Sequence, residues 1–235
     1  MASKCFAKYL IVDKLTCMKN TNLKKYLPKN SIPILVILLL CFALPSNAQK
    51  VDTVINMGIY KSYFSYGVKQ PLYVTYNLYK GGGTCDRKEE HFSFKKCGIT
   101  TATDADYKIL DKFDKGHLAN AEDFANDCEK EEKTFCYYNC VPQTVKLNRG
   151  IWKKWEENIR LQSQTQRLFV IAGAIYDKKI ITTGIAVPIY CYKIVVDTKT
   201  KKVMYCLIFP NDESNTVKKI SLVKLKKKLG YDLMP

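Results

Sequence analysis

LNRGIWKKWEENIRLQSQTQRLFVIAGAIY, residues 147–176, contains a change of period that sets the fold class. From Leu147 to Gln164 the apolar residues recur at helical spacing, with Ile151, Trp155 and Ile159 on one stripe and Asn148, Glu156 and Arg160 beside it. From Leu168 to Tyr176 the run turns continuous and rich in β-formers, as a buried strand does. Two more such runs follow, Pro188–Val196 and Val203–Phe209, joined by Asp197-Thr198-Lys199-Thr200 as a hairpin turn. Upstream, Leu72–Leu78 alternates bulky and polar residues and is ended by Lys80-Gly81-Gly82-Gly83. Strands that mostly follow one another around a central helix predict an α+β fold, with a mostly antiparallel central sheet and flanking helices. If Val196 faces Lys201 across the turn, Cys191 falls opposite Cys206, which suits either a cross-strand disulfide or two buried thiols.

The chain has 235 residues, 47% of them hydrophobic, which is enough for a packed core and excludes disorder as the main state. Ile32 to Leu44 reads IPILVILLLCFAL, without a charge; lysines precede it and Pro45-Ser46-Asn47-Ala48 follows. A basic segment, a short apolar segment and small residues at the cut predict a signal peptide over residues 1–48, cleaved after Ala48. The product would be secreted or periplasmic, with no stable membrane insertion, since a spanning helix needs about 20 apolar residues. Leu40 before Cys41 does not suit a lipoprotein. MKNTNLKKYLPKN is by itself a normal basic segment, so translation is expected to begin at Met18. Residues 49–70 are expected to form an N-terminal arm and 71–235 the functional domain. Lys+Arg number 38 against 22 Asp+Glu, a net charge of +16; beyond residue 48 there are 31 against 21, still +10. Such a domain favours polyanions: nucleic acid, anionic membrane or acidic polysaccharide.

Export changes how the cysteines read. Cys85, Cys97, Cys128, Cys136, Cys140, Cys191 and Cys206 lie beyond the signal and are disulfide candidates in an oxidising compartment. The count is odd, so at least one stays free or pairs between chains. Cys128, Cys136 and Cys140 are spaced C-x7-C-x3-C rather than as paired knuckles, which disfavours zinc.

The chain has two histidines, His91 and His117, so a neutral imidazole base has few places to sit. His117 lies in Asp114-Lys115-Gly116-His117, where a cation, a glycine admitting close backbone and a base occupy three consecutive positions. A histidine after glycine is also an ordinary turn residue. Further on come Asn139-Cys140-Val141-Pro142-Gln143 and the helix with Asn148, Glu156 and Arg160. An amide oxygen and a carboxylate on one stripe suit a hydrated Mg²⁺, and an arginine one turn beyond suits a phosphate. The same pattern also describes an amphipathic helix with a Glu156–Arg160 surface pair.

Taken together, these segments resemble the DNA/RNA non-specific endonucleases, whose pattern is D-R-G-H, then N-x-x-P-Q, then L-N-x-G-x-W-x-x-x-E with an arginine four residues later. Asn139 to Asn148 is nine residues and Asn148 to Glu156 eight, as in that pattern. Arg87 before Phe92 and Phe94, the Val187-Pro188 run, Lys193-Ile194-Val195, Phe209-Pro210-Asn211 and Gly230-Tyr231-Asp232 extend the likeness from about Leu72 to the end. The resemblance implies a ββα-metal (His-Me finger) motif and a Mg²⁺-dependent hydrolase of DNA and RNA, Mn²⁺ being the alternative ion. It implies His117 as general base, Asn148 as the one protein ligand of the metal and Glu156 as holder of its waters. Lys115, Arg160 and Arg87 would neutralise phosphate, and Asn139 would help fix the imidazole. Products would carry 5′-phosphate ends. One residue departs: the family's arginine is Lys115, which keeps the charge but gives up the bidentate fork. That departure favours a second class, a catalytically inert secreted basic module that binds nucleic acid. The resemblance leaves any inhibitor protein unidentified.

Overall fold

The computed structural model describes residues 49–99, 101–108, 110–177 and 185–233. The signal segment and the start at Met18 lie outside the described residues. The strands are β1 (Thr53–Asn56), β2 (Lys61–Ser65), β3 (Gln70–Leu78), β4 (Phe113–His117), β5 (Cys140–Thr144), β6 (Leu168–Tyr176), β7 (Pro188–Asp197), β8 (Val203–Pro210) and β9 (Lys218–Lys219). The helices are α1 (Asp104–Lys108), α2 (Cys128–Lys133), α3 (Lys153–Ser163) and α4 (Leu222–Leu229). Seven strands make one antiparallel sheet in the order β1-β2-β3-β6-β7-β8-β9, while β4 and β5 pair as a separate antiparallel ribbon. This is the α+β architecture expected from the sequence.

Residues 49–70 are not an arm. They carry β1 and β2, and Phe64 is fully buried. The strands there are only four and five residues long, too short for their alternation to stand out from a mixed segment. The β7–β8 hairpin also differs from expectation: a register shift next to the turn sets Val196 opposite Val203, so Cys191 faces Phe209 and Cys206 faces Ile194. A cross-strand Cys191–Cys206 bridge is thereby excluded, and both thiols are free and buried, as is Cys140. The disulfides are Cys85–Cys128 and Cys97–Cys136, which tie the irregular chain after β3 to α2 and to the turn preceding β5.

Side chains alternate across β7 and define the two layers on the sheet. Cys191 accepts a hydrogen bond from Gln143 of β5 and Lys193 reaches Glu156 of α3, so this face carries the ribbon and α3. Tyr192 points the other way, its hydroxyl 3.1 Å from that of Tyr231 in the C-terminal tail. α3 buries Glu156, Ile159 and Ser163 in line with the fully buried Trp152, whereas Ile151 and Trp155 are only partly covered. The buried stripe is thus the one that contains Glu156, and the polar side of the expected helix faces inward.

Candidate active site

The ribbon and α3 bring the functional side chains together. Gly116 lies so close to the Gln143 side chain that an added Cβ would be 2.1 Å from its Oε1, so any larger residue would displace Gln143. One position later His117 enters a cleft of about 450 Å³ lined also by Arg87, Asn120, Asn148, Arg149, Lys153, Glu156 and Arg160. Its ring packs against Phe94 and Phe135, with centroids 4.7 and 4.8 Å away. Burial, helped by the charges of Arg87 and Lys193, pulls its pKa down to about 3, so the imidazole is neutral at physiological pH. Its Nε2 is buried and has no hydrogen-bond partner among the described residues.

Asn148 is not on the same continuous helix as Glu156. A short helical turn at Val145–Leu147 runs into a π-turn at Asn148–Trp152, where Gly150 leaves helical geometry at φ −104° and ψ −113°. Asn215 pins this kink: its Oδ1 accepts the Ile151 N–H at 2.7 Å, and an added Cβ on Gly150 would lie 2.3 Å from that oxygen. The even spacing of four residues therefore misplaces Asn148 on the stripe, although both residues still line the cleft. Asn148 Nδ2 donates to Asp114 Oδ2 at 2.9 Å, which leaves the amide oxygen for another partner. Asp114 is gripped by both arms of the Arg149 fork, at 2.9 and 2.8 Å. Burial opposes ionisation of Asp114, yet Arg149 and Asn148 hold its carboxyl below the usual range.

Glu156 is buried, and Lys193 Nζ donates to its Oε1 at 3.3 Å. Burial pushes this carboxyl up, with Lys193 opposing. Arg160 NH1 donates to Asp123 Oδ1 at 3.1 Å, and the Tyr76 hydroxyl donates to Asp123 Oδ2 at 3.0 Å. Arg87 lies 3.4 Å from the buried carboxylate of Glu131 and 3.8 Å from that of Glu122. Burial raises the Glu131 pKa to about 7, Arg87 acting against it and Glu122 and Asp86 with it.

Two expected residues sit elsewhere. Lys115 does not line this cleft; it lines a neighbouring hollow of about 720 Å³ that shares Asn148 and Arg149 with it. There its ammonium pairs with Asp104 and lies 5.5 Å from the ring centre of Tyr137. Asn139 does not touch the imidazole through a hydrogen bond. It is fully buried and staples backbone, accepting from Ala119 N–H and donating to the carbonyls of Ala119 and Thr134, at 2.8, 2.9 and 2.9 Å.

Nothing in the sequence pattern marks Arg149, Asp123 or Glu131, and Lys193 reads there only as a strand residue. A lone lysine inside the apolar run Tyr190–Val196 is a signal that could have found Lys193.

The residues fit a divalent cation of the Mg²⁺ class. Asn148 offers an amide oxygen and Glu156 a carboxylate, both hard oxygen donors lining one cleft. Among the described residues no group of three or more His, Cys, Asp or Glu side chains is placed to hold a metal.

The chain is similar to known proteins in family, in sequence and in fold. The family described as DNA/RNA non-specific endonuclease matches residues 42–233. A nuclease of Nostoc sp. (strain PCC 7120 / SAG 25.82 / UTEX 2576) is 32% identical over 139 residues, covering 52% of this chain and 50% of its own. The mitochondrial nuclease EXOG of Danio rerio is 27% identical over 115 residues, 43% of this chain and 33% of its own. The chain thus spans half the length of the first of these relatives and a third of the second. In fold it is similar to a solved structure described as the EndoG/EndoGI complex, with a TM-score of 0.66 over 77% of this chain and 85% of that one, at 21% identity.

Proposed function

The chain belongs to the DNA/RNA non-specific endonuclease family, and from that premise we propose that it is a secreted or periplasmic, Mg²⁺-dependent endonuclease cutting DNA and RNA without sequence choice. The observation that carries the proposal is the half-buried, neutral imidazole of His117 in one cleft with Asn148, Glu156 and Arg160.

Each side chain has a task that its chemistry suits. A water attacks phosphorus while His117 takes up its proton; the bond to the 3′ oxygen breaks, leaving a 5′-phosphate on one product and, once protonated, a 3′-hydroxyl on the other. The phosphodiester brings negative charge against the influence of Arg87 and Lys193 on the ring, which raises the imidazole's proton affinity toward the working range. Arg160, held through NH1 by Asp123, has its remaining N–H groups for phosphate. Asn148 and, through water, Glu156 would hold the metal, with Mn²⁺ as a substitute. When bound, the ion stabilises charge on the phosphate and the departing oxygen.

Water as nucleophile needs no 2′-hydroxyl, which supports action on both sugars. Guanidinium and ammonium groups that meet phosphates carry no base information, which supports indifference to sequence. Two disulfides and the apolar run Ile32–Leu44 support export. Among the described residues no helix is long and apolar enough to cross a membrane. The EndoG/EndoGI complex extends the proposal to an inhibitor protein whose acidic surface would suit this basic cleft. The inert-binder reading is favoured by one observation, that Lys115 is paired with Asp104 outside the cleft. Incubating the protein with plasmid and with RNA, in Mg²⁺ and in chelator, separates the two. Metal-dependent nicking of both substrates supports the nuclease; binding without any cleavage refutes it.

A further inference from the structure

Lys193 is fully buried in the middle of the sheet, and none of the tasks above uses it. Its ammonium sits 3.8 Å from the centre of the Trp152 ring and 3.3 Å from Glu156 Oε1. Asp123, also buried, is held by Arg160 and Tyr76 and feels Lys193 as a nearby positive charge. Two carboxylates and two cations thus form a balanced set beneath the cleft: Glu156 with Lys193, and Asp123 with Arg160. A buried ion pair rarely adds stability over apolar residues of the same size. Stability alone therefore gives little reason to place a lysine in β7, where its neighbours Tyr192 and Ile194 pack into the core.

We infer that Lys193 is a positioning residue for the cleft: its ammonium, fixed on the Trp152 face, engages Oε1 of Glu156 and so orients the other carboxylate oxygen toward the cleft. The inference rests on the nuclease reading but is separate from it. Trp152 blocks one side of the ammonium, and β7, flanked on both sides by β6 and β8, fixes where the side chain starts. Glu156 thereby has one rigid partner from the sheet, while its backbone belongs to α3. Without Lys193 the Glu156 carboxylate loses this anchor and can turn away from the position that suits the waters of a cation.

The test compares Lys193→Met, Glu156→Gln and the pair of both. Single-turnover cleavage of a short duplex is read over a Mg²⁺ titration. Mn²⁺ binding is measured by electron paramagnetic resonance on DNA complexes carrying His117→Ala to prevent cleavage. Outer partners of a metal site govern affinity or rate by about 10–100-fold. Lys193→Met is expected to slow cleavage and weaken Mn²⁺ binding on that scale, with the affinity for the duplex unchanged. The pair is expected to be no worse than Glu156→Gln alone, because Lys193 acts through that carboxylate. Should Lys193→Met not fold, the pair removes both charges together and is compared with Glu156→Gln in the same way. Losses that multiply in the pair, or wild-type Mn²⁺ binding in Lys193→Met, would overturn the inference. A wild-type protein that cleaves nothing would instead overturn the nuclease reading, and the Mn²⁺ arm would still report on Lys193.

Discussion

Replacing Asn139 by alanine separates a scaffold role from a chemical one. The amide makes three buried hydrogen bonds to backbone, one to Ala119 N–H and one to each carbonyl of Ala119 and Thr134. A second link runs through the main chain, since the Asn139 carbonyl accepts Leu118 N–H at 2.8 Å. The segment so held begins one residue after His117, and Leu118 and Ala119 are both fully buried. At about 1 kcal/mol net for each side-chain bond, the loss is about 3 kcal/mol, more if the orphaned groups stay dry. For a domain of this size that lowers the thermal midpoint by roughly 6–12 °C. The assay is a thermal unfolding curve beside cleavage rates measured well below the lowered midpoint. The expected result is a clear drop in midpoint with cleavage near the parent's at low temperature. An unchanged midpoint with cleavage abolished would refute the scaffold role and return Asn139 to the chemistry.

His117→Ala should lower kcat by about 10²–10⁴ while DNA binding persists, and His91→Ala, at an exposed position, should leave cleavage unaltered in the same assay. Because the folded-state pKa of His117 lies near 3 and the unfolded one near 6.5, the unfolded chain binds the extra proton between them. Stability is therefore lost as pH falls through that window, and His117→Ala should reduce this acid sensitivity in unfolding curves at pH 7 and pH 4. Chelation should stop cleavage without unfolding the protein, and added Mg²⁺ or Mn²⁺ should restore it, as followed by gel assay and circular dichroism. Asp114→Asn should cut activity by about 10–100-fold by freeing Arg149 and Asn148, whereas Lys115→Ala, outside the cleft, should cost far less; equal losses in kcat would contradict that placement.

Long, strongly patterned segments were legible from sequence. β6 falls on the residues its continuous apolar run marks, and β7 and β8 extend the expected runs by one residue each. The register of their hairpin was not, because a shift between Val195 and Val196 moves every partner by more than the turn residues reveal. The motif spacing placed His117, Asn148, Glu156 and Arg160 around one cleft, but it could not say which way Lys115 turns. Its direction depends on Asp104 and Tyr137, distant in sequence and brought close only by the fold. Asn148 and Glu156 looked like one helical stripe because a period of 3.6 cannot reveal a glycine whose neighbour is Asn215. In sequence Lys193 reads only as part of a strand. A buried charge has no periodic signature, and its meaning comes from Glu156 across the sheet-to-helix interface.

The kink at Gly150 builds the cleft from two separately anchored pieces rather than from one helix. On an unbroken helix the gap between Asn148 and Glu156 would be fixed by the rise of 1.5 Å per residue. Here the two sit on separate pieces, one anchored to Asp114 on the ribbon and the other to Lys193 on the sheet, with Asn215 acting as the wedge between them. The gap between the two donors then depends in part on Asn215, in the exposed loop 211–217 whose Asn211 and Asp212 also hold Thr144 ahead of Asn148. Substitution of Asn215 alone offers a way to alter that gap, and with it the fit for Mg²⁺ against the larger Ca²⁺, while Asn211 and Asp212 keep their hold on Thr144.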